Sequence, residues 1–266
     1  MKKVLSFGPL FVIFAAFLWS LDGLLRRSLY VLPPITVVFF EHLIGFILIA
    51  PFLFPHIKTI KKVKQKTWGA FAWITLLSSI LGTLFYTAAL GKVNFIQFSV
   101  VVLLQQLQPI FEVFFAWLIL REHINKKFFI WLALALVGAY FVSFPNLSVN
   151  LQTGQGTILA ALLAIGAAFS WGSSTAFSRY VLLQLPSVVT TGLRFGLASI
   201  LGLLFVFGLG AQDSLITLTT NQWLTLLAIA LSTGMVSLAI YYYGLKKTPV
   251  RIQQFASLLG RFQQLS

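Results

Sequence analysis

Cysteine is absent from the chain, so disulfides, thiolate ligands and cysteine nucleophiles are all excluded. Acid is nearly as scarce, with five Asp and Glu against nineteen Lys and Arg. Charged residues make up only 9% of the sequence, whereas a soluble domain carries about 25%. A chain of 266 residues with so few charges cannot cover a water-facing surface. Enzyme motifs are missing too: no H-E-x-x-H, no G-x-x-x-x-G-K-[ST] and no G-x-S-x-G occurs. The acids are scattered over separate segments, and no pair has the spacing of a helical metal or diphosphate site. No metal and no cofactor is expected, and an intramembrane enzyme is the weaker reading.

What fills the chain is apolar sequence, 59% hydrophobic residues with a mean hydropathy of +0.94. Such a chain is an all-α polytopic membrane protein, because lipid offers backbone groups no water and only helices satisfy them one segment at a time. Crossing about 30 Å of hydrocarbon at about 1.5 Å per residue takes about 20 residues. Eight runs suffice: 7–25, 35–54, 68–90, 95–120, 128–144, 157–178, 188–209 and 222–244. The first is expected to be a span rather than a cleaved leader. It is too long, no small-residue cleavage site follows, and it ends in Asp22 and Arg26-Arg27.

The net charge of +14 would suggest nucleic acid in a soluble protein. Here the cations cluster between apolar runs, so no nucleic-acid partner is expected. They read as topology signals facing the cytoplasm and anionic lipid. With the N-terminus in the cytoplasm, fourteen Lys and Arg fall on inside segments and three on outside loops; loop 55–67 alone carries five lysines. This orientation suits a multi-pass protein of the plasma (inner) membrane.

The chain repeats itself. Residues 15–27, AAFLWSLDGLLRR, match 167–179, AAFSWGSSTAFSR, at a constant offset of 152. That offset puts Trp19 on Trp171, Pro34 on Pro186 and His42 on Arg194. After a three-residue shift, Thr67-Trp68 falls on Gln222-Trp223 and Leu90 on Leu245. Five spans separate equivalent positions, so the second copy enters from the opposite side, the inverted repeat of secondary transporters. The expected units are 7–144 and 157–266.

Polar residues at membrane depth are costly there and are the functional candidates. Arg194 either snorkels to the interface or holds an anionic group of a solute. Glu41 and His42, at matching depth, either tie helices together or bind a cationic group or a proton. Asp22 reads as an ordinary i,i+4 partner of Arg26. Gln105, Gln108 and Glu112 share one face of the fourth run, either lining a cavity or gluing helices. Pro109 frees the carbonyl of Gln105 and predicts a kink in that run. Trp19 and Trp171, with Tyr86 and Tyr241, are candidate walls of a mostly apolar pocket. Gly82, Gly138, Gly166, Gly172 and Gly202 read as close helix contacts.

The stretch from Pro109 to Val142, PIFEVFFAWLILREHINKKFFIWLALALVGAYFV, resembles the EamA-type transporters of the drug/metabolite transporter superfamily. Ala116-Trp117 and Glu122 match that family's fourth-helix exit, while Arg121 stands where glycine is usual. Tyr241 to Pro249, YYYGLKKTP, is similar to its eighth-helix exit. The resemblance implies ten helices in two five-helix units, a central cavity and alternating access driven by a proton or other gradient. It implies a secondary transporter, here an exporter, of a small organic metabolite or drug-like solute, with lipid and solute as its partners. About eight to nine helices are present, since the second copy stops near the equivalent of Pro109 and the chain reads as a truncated form. A non-transporting fragment or scaffold is therefore the alternative. Nothing in the sequence selects the solute, the coupling ion or an oligomeric state.

Overall fold

A computed structural model describes residues 7–92, 98–120, 126–143 and 155–247. All regular structure among these residues is helical. The helices are α1 (Gly8–Arg27), α2 (Pro34–Ile60), α3 (Gln65–Leu90), α4 in two halves (Phe98–Gln105 and Gln108–Leu120), α5 (Lys126–Ser143), α6 (Gln155–Leu182), α7 (Ser187–Gly208) and α8 (Thr220–Lys247). Seven stretches, those of α1 to α4 and α6 to α8, are long and apolar enough to cross a membrane. Within the described residues each of the eight runs expected as spans is helical, the fourth with a break, and the fifth, α5, is not among the seven candidate spans. Glu122, Arg121 and the expected part of a ninth helix after Lys247 lie outside the described residues.

The surface exposes many large apolar side chains, and the interior holds many polar ones. Leu24, Ile47, Phe52, Ile200, Leu204 and Phe207 point outward, whereas Glu41, His42, Ser79, Ser173, Thr190 and Arg194 are buried. This inversion of the soluble rule is what a lipid solvent selects, because buried side chains can pair and lipid-facing ones cannot.

The two halves interleave. α1 lies along α8, α2 along α7, and α3 along α6. α1 and α8 are antiparallel: Gly244 meets Gly8 at one end, while Thr233 meets Asp22 further along. Small residues allow these approaches. A Cβ on Gly244 would sit 2.8 Å from the Gly8 carbonyl oxygen, and one on Gly172 of α6 would sit 2.6 Å from that of Gln108 in α4. Gly82, Gly166 and Gly202 also lie against neighbouring helices, at Trp171, Phe85 and Phe39.

Three departures from a regular α-helix shape the interior. α4 is not merely kinked: it stops at Gln105 and restarts at Gln108. Pro109 cannot donate to Gln105, and its ring fits only the first turn of a new helix. α3 widens into a π-helical stretch over Ile74–Gly82, and α8 does so over Ala230–Gly234. With the repeat offset of 155, the second stretch falls on 75–79, inside the first. Such widening leaves carbonyls open to other donors: the Ser78 carbonyl accepts from Trp171 Nε1 at 3.0 Å and from Thr83 Oγ1 at 3.2 Å.

Candidate functional site

The interior polar residues converge on one cavity of about 140 Å³ between the halves. That is room for about five water molecules at about 30 Å³ each. Nine of the ten candidate residues line it: Trp19, Glu41, His42, Tyr86, Gln105, Gln108, Trp171, Arg194 and Tyr241. Glu112 does not. It is buried on the α4 face that closes on Gly172 of α6. The expected stripe of Gln105, Gln108 and Glu112 is therefore divided: Gln105 and Gln108 line the cavity from either side of the break, while Glu112, one turn beyond Gln108 on the same half-helix, does not.

Aromatic walls come in two pairs. Trp19 of α1 meets Tyr241 of α8 with ring centroids 5.0 Å apart, and Trp171 of α6 meets Tyr86 of α3 at 5.3 Å. Both pairs are tilted, at 55° and 60°. Each takes one ring from either half. Offsets of 152 and 155 carry Trp19 to Trp171 and Tyr86 to Tyr241, so exchanging the halves exchanges the pairs.

Polar groups form two clusters. In the first, Arg26 is clamped by two carboxylates: Nε donates to Asp22 Oδ2 at 2.5 Å and Nη2 to Glu41 Oε2 at 2.7 Å. Its Nη1 donates to Thr87 Oγ1 at 3.3 Å, and Thr233 Oγ1 donates to Asp22 Oδ1 at 2.5 Å. Four helices, α1, α2, α3 and α8, are thereby tied together. The i,i+4 pair of Asp22 and Arg26 exists as the spacing predicts, but it is buried and shared with Glu41. Glu41 thus pairs with an arginine, Arg26. Its neighbour His42 turns Nδ1 to the Val38 carbonyl at 2.8 Å and lays its ring by Phe195.

The second cluster surrounds Arg194, which does not snorkel: it is 8% exposed. Nε donates to Ser79 Oγ, Nη1 to Tyr242 Oη and Nη2 to Ser78 Oγ, each at 2.7 Å. The Tyr242 hydroxyl is also 2.9 Å from Ser178 Oγ. All three partners are neutral, so this guanidinium has no carboxylate among the described residues. Tyr242 and Ser178 lie near the C-terminal ends of α8 and α6, whereas Arg26 and Thr87 lie near those of α1 and α3. Since α1 and α8 are antiparallel, the two clusters stand toward opposite ends of the cavity.

Sequence reasoning missed Ser78, Ser174, Ser178, Thr233 and Tyr242. A serine or threonine inside an apolar run carries little signal alone. The offset did hold one: Ser78 corresponds to Thr233, and Thr87 to Tyr242; Thr87 bonds Arg26, Ser78 and Tyr242 bond Arg194, and Thr233 bonds Asp22, the partner of Arg26. Among the described residues no group of three or more His, Asp or Glu can hold a metal.

Comparison with known proteins agrees with this architecture. The model of the EamA-like transporter family matches residues 6–144 and 158–261. The riboflavin transporter ImpX of Fusobacterium nucleatum is 34% identical over 255 residues, covering 94% of this chain and 85% of that protein. The uncharacterized transporter YvbV of Bacillus subtilis is 24% identical over 193 residues, covering 72% of this chain and 60% of that one. A crystal structure of another protein shares the fold at a TM-score of 0.72 and 16% identity, covering 97% of this chain and 85% of that chain.

Proposed function

The chain belongs to the EamA-like transporter family, and on that premise we propose that it carries a riboflavin-like solute across the membrane by alternating access. The observation that carries this reading is the double aromatic wall. Trp19–Tyr241 and Trp171–Tyr86 flank one cavity, and flat π faces are what a planar heterocycle stacks on. The name of the Fusobacterium relative points to the same class of solute.

The halves 7–144 and 157–266 act as inverted repeats that rock about the cavity. Their shared positions, Trp19 with Trp171 and Tyr86 with Tyr241, support this. The Arg26 cluster holds one end together and the Arg194 cluster the other, and each must open in turn. The N-terminus lies in the cytoplasm and the protein sits in the plasma membrane, as the lysine-rich loop 55–67 favours. Transport is outward and coupled to a proton or other ion gradient rather than to ATP, for the chain has no phosphate-binding loop.

Proteoliposomes test the core of this reading. Riboflavin flux should exceed that of protein-free vesicles, and Trp19→Ala or Trp171→Ala should cut it about two- to tenfold, since one aromatic–aromatic contact is worth about 0.5–1.5 kcal/mol beyond burial. Absence of riboflavin flux, or Trp variants that transport at the wild-type rate, would refute it. Flux compared between the two vesicle orientations, with and without a pH gradient, tests direction and coupling.

A further inference from the structure

We propose that the cavity recognises an imide edge, the sequence C=O, N–H, C=O on a flat ring, through Gln105 and Arg194. This rests on the reading of the cavity as the solute site and adds the chemistry by which a solute is chosen there.

Gln105 is the last residue of the upper half of α4, 8% exposed, and it lines the cavity. Its Oε1 is buried with no partner. A buried carbonyl oxygen gives up its bonds to water, so one left unmade here awaits a donor from outside the chain. A carboxamide also presents an N–H₂ beside its oxygen, and can therefore pair with an adjoining N–H and C=O in one plane.

Arg194 supplies the complementary half. A guanidinium has five N–H groups, and three are engaged, by Ser78, Ser79 and Tyr242. The two that remain belong to a side chain that lines the cavity and has no carboxylate partner among the described residues. The aromatic pairs would hold the ring by its faces, leaving its edge for these polar groups.

Other solute chemistries satisfy only part of this set. A carboxylate would pair with Arg194 but give Gln105 Oε1 no donor. A polyol would serve Gln105 but leave the guanidinium with weak acceptors. An imide gives its N–H to Gln105 and its carbonyls to Arg194 and to the Gln105 amide. Riboflavin has such an edge on its pyrimidine ring.

The test compares riboflavin, lumiflavin (the same edge without the ribityl chain) and 3-methylriboflavin (the edge N–H replaced by N–CH₃). Binding to the purified protein is read from flavin fluorescence, which stacking on Trp quenches, and as competition against labelled riboflavin in proteoliposomes. Wild-type protein should bind riboflavin and lumiflavin within about threefold of each other and 3-methylriboflavin at least about tenfold more weakly. Gln105→Ala should bind all three alike, within about twofold, while still quenching flavin. Equal binding of riboflavin and 3-methylriboflavin by wild-type protein overturns the edge assignment and needs no variant to do so. Tenfold discrimination that survives in Gln105→Ala overturns the role of Gln105. If none of the three flavins binds or moves, the transport reading falls and takes this assignment with it. If Trp171→Ala abolishes binding yet the methyl group goes unnoticed, the transport reading stands and the edge assignment alone fails.

Discussion

Arg26 bridging two carboxylates inside a membrane protein makes a sharp energetic prediction. Its side chain is 4% exposed and Glu41 is 5% exposed, with Nη2 and Oε2 2.7 Å apart. With charge centres about 4 Å apart and an effective dielectric of about 20, the attraction is about 4 kcal/mol. Replacing Arg26 by Gln strands both Asp22 and Glu41, at a cost of about 3–5 kcal/mol. Glu41→Gln costs less, about 2 kcal/mol, because Arg26 keeps Asp22 at 2.5 Å. The double variant should then be about 2 kcal/mol better than the sum of the two, since only Asp22 is left without its partner. Thermal unfolding of the purified protein in one detergent reads this out. At about 2–4 °C per kcal/mol for a chain of this size, Arg26→Gln should fall by about 10 °C. Strict additivity, within about 0.5 kcal/mol, would show that the pair does not act as a buried unit and would refute the reasoning.

Other outcomes follow from single contacts. Tyr242→Phe removes the hydroxyl that bonds Arg194 at 2.7 Å and Ser178 at 2.9 Å, so flux should fall about tenfold, a loss within the range of one unmade buried bond; a wild-type rate takes Tyr242 out of the mechanism. Gly172→Ala places a methyl 2.6 Å from the Gln108 carbonyl oxygen, and backbone cannot yield as a side chain does. It should cost about 1–3 kcal/mol in thermal unfolding. Gly69→Ala, with nothing within 4 Å of the new methyl, should stay within about 0.5 kcal/mol and serves as the control. Because the chain has no cysteine, Lys62→Cys gives a single reporter. A membrane-impermeant maleimide should label it in inside-out vesicles and not in intact cells, and labelling of intact cells would reverse the topology.

The helices were legible because lipid leaves a chain few options: a run long enough to span must be a helix, and its boundaries follow from hydropathy. The likeness of residues 15–27 to 167–179 was legible because Trp19 and Trp171 stand out in apolar sequence. What the sequence concealed is local hydrogen bonding. Pro109 announces trouble in α4, but whether the helix bends or stops depends on where Gln105 and Gln108 find room. The π-helical stretches in α3 and α8 leave no mark, since an apolar run reads the same at either pitch. Asp22 and Arg26 read as an ordinary helix-end pair because i,i+4 spacing is common; only the arrival of Glu41 from α2 makes them a buried lock.

The same offset that equates the halves also shows where they differ chemically. Exchanging halves carries His42 to Arg194, Arg26 to Ser178, Glu41 to Leu193 and Thr87 to Tyr242. The arginine thus sits on the first helix of one half and the second helix of the other. Its partners change from carboxylates to hydroxyls. Hydrogen bonds to an ionised partner are about twice as strong as neutral ones. A solute carbonyl can displace a serine or tyrosine hydroxyl from Arg194 at little net cost, whereas it cannot compete with Asp22 and Glu41 for Arg26. In the proposed alternating-access cycle, solute arrival would therefore bear directly on the Arg194 end. In the proposed cycle, opening the Arg26 end means breaking its bonds to Asp22 and Glu41, so these contacts are where coupling would act. Riboflavin exchange at equilibrium should then persist in Glu41→Gln while uphill transport driven by a pH gradient is lost, and uphill transport that survives in that variant removes Glu41 from coupling.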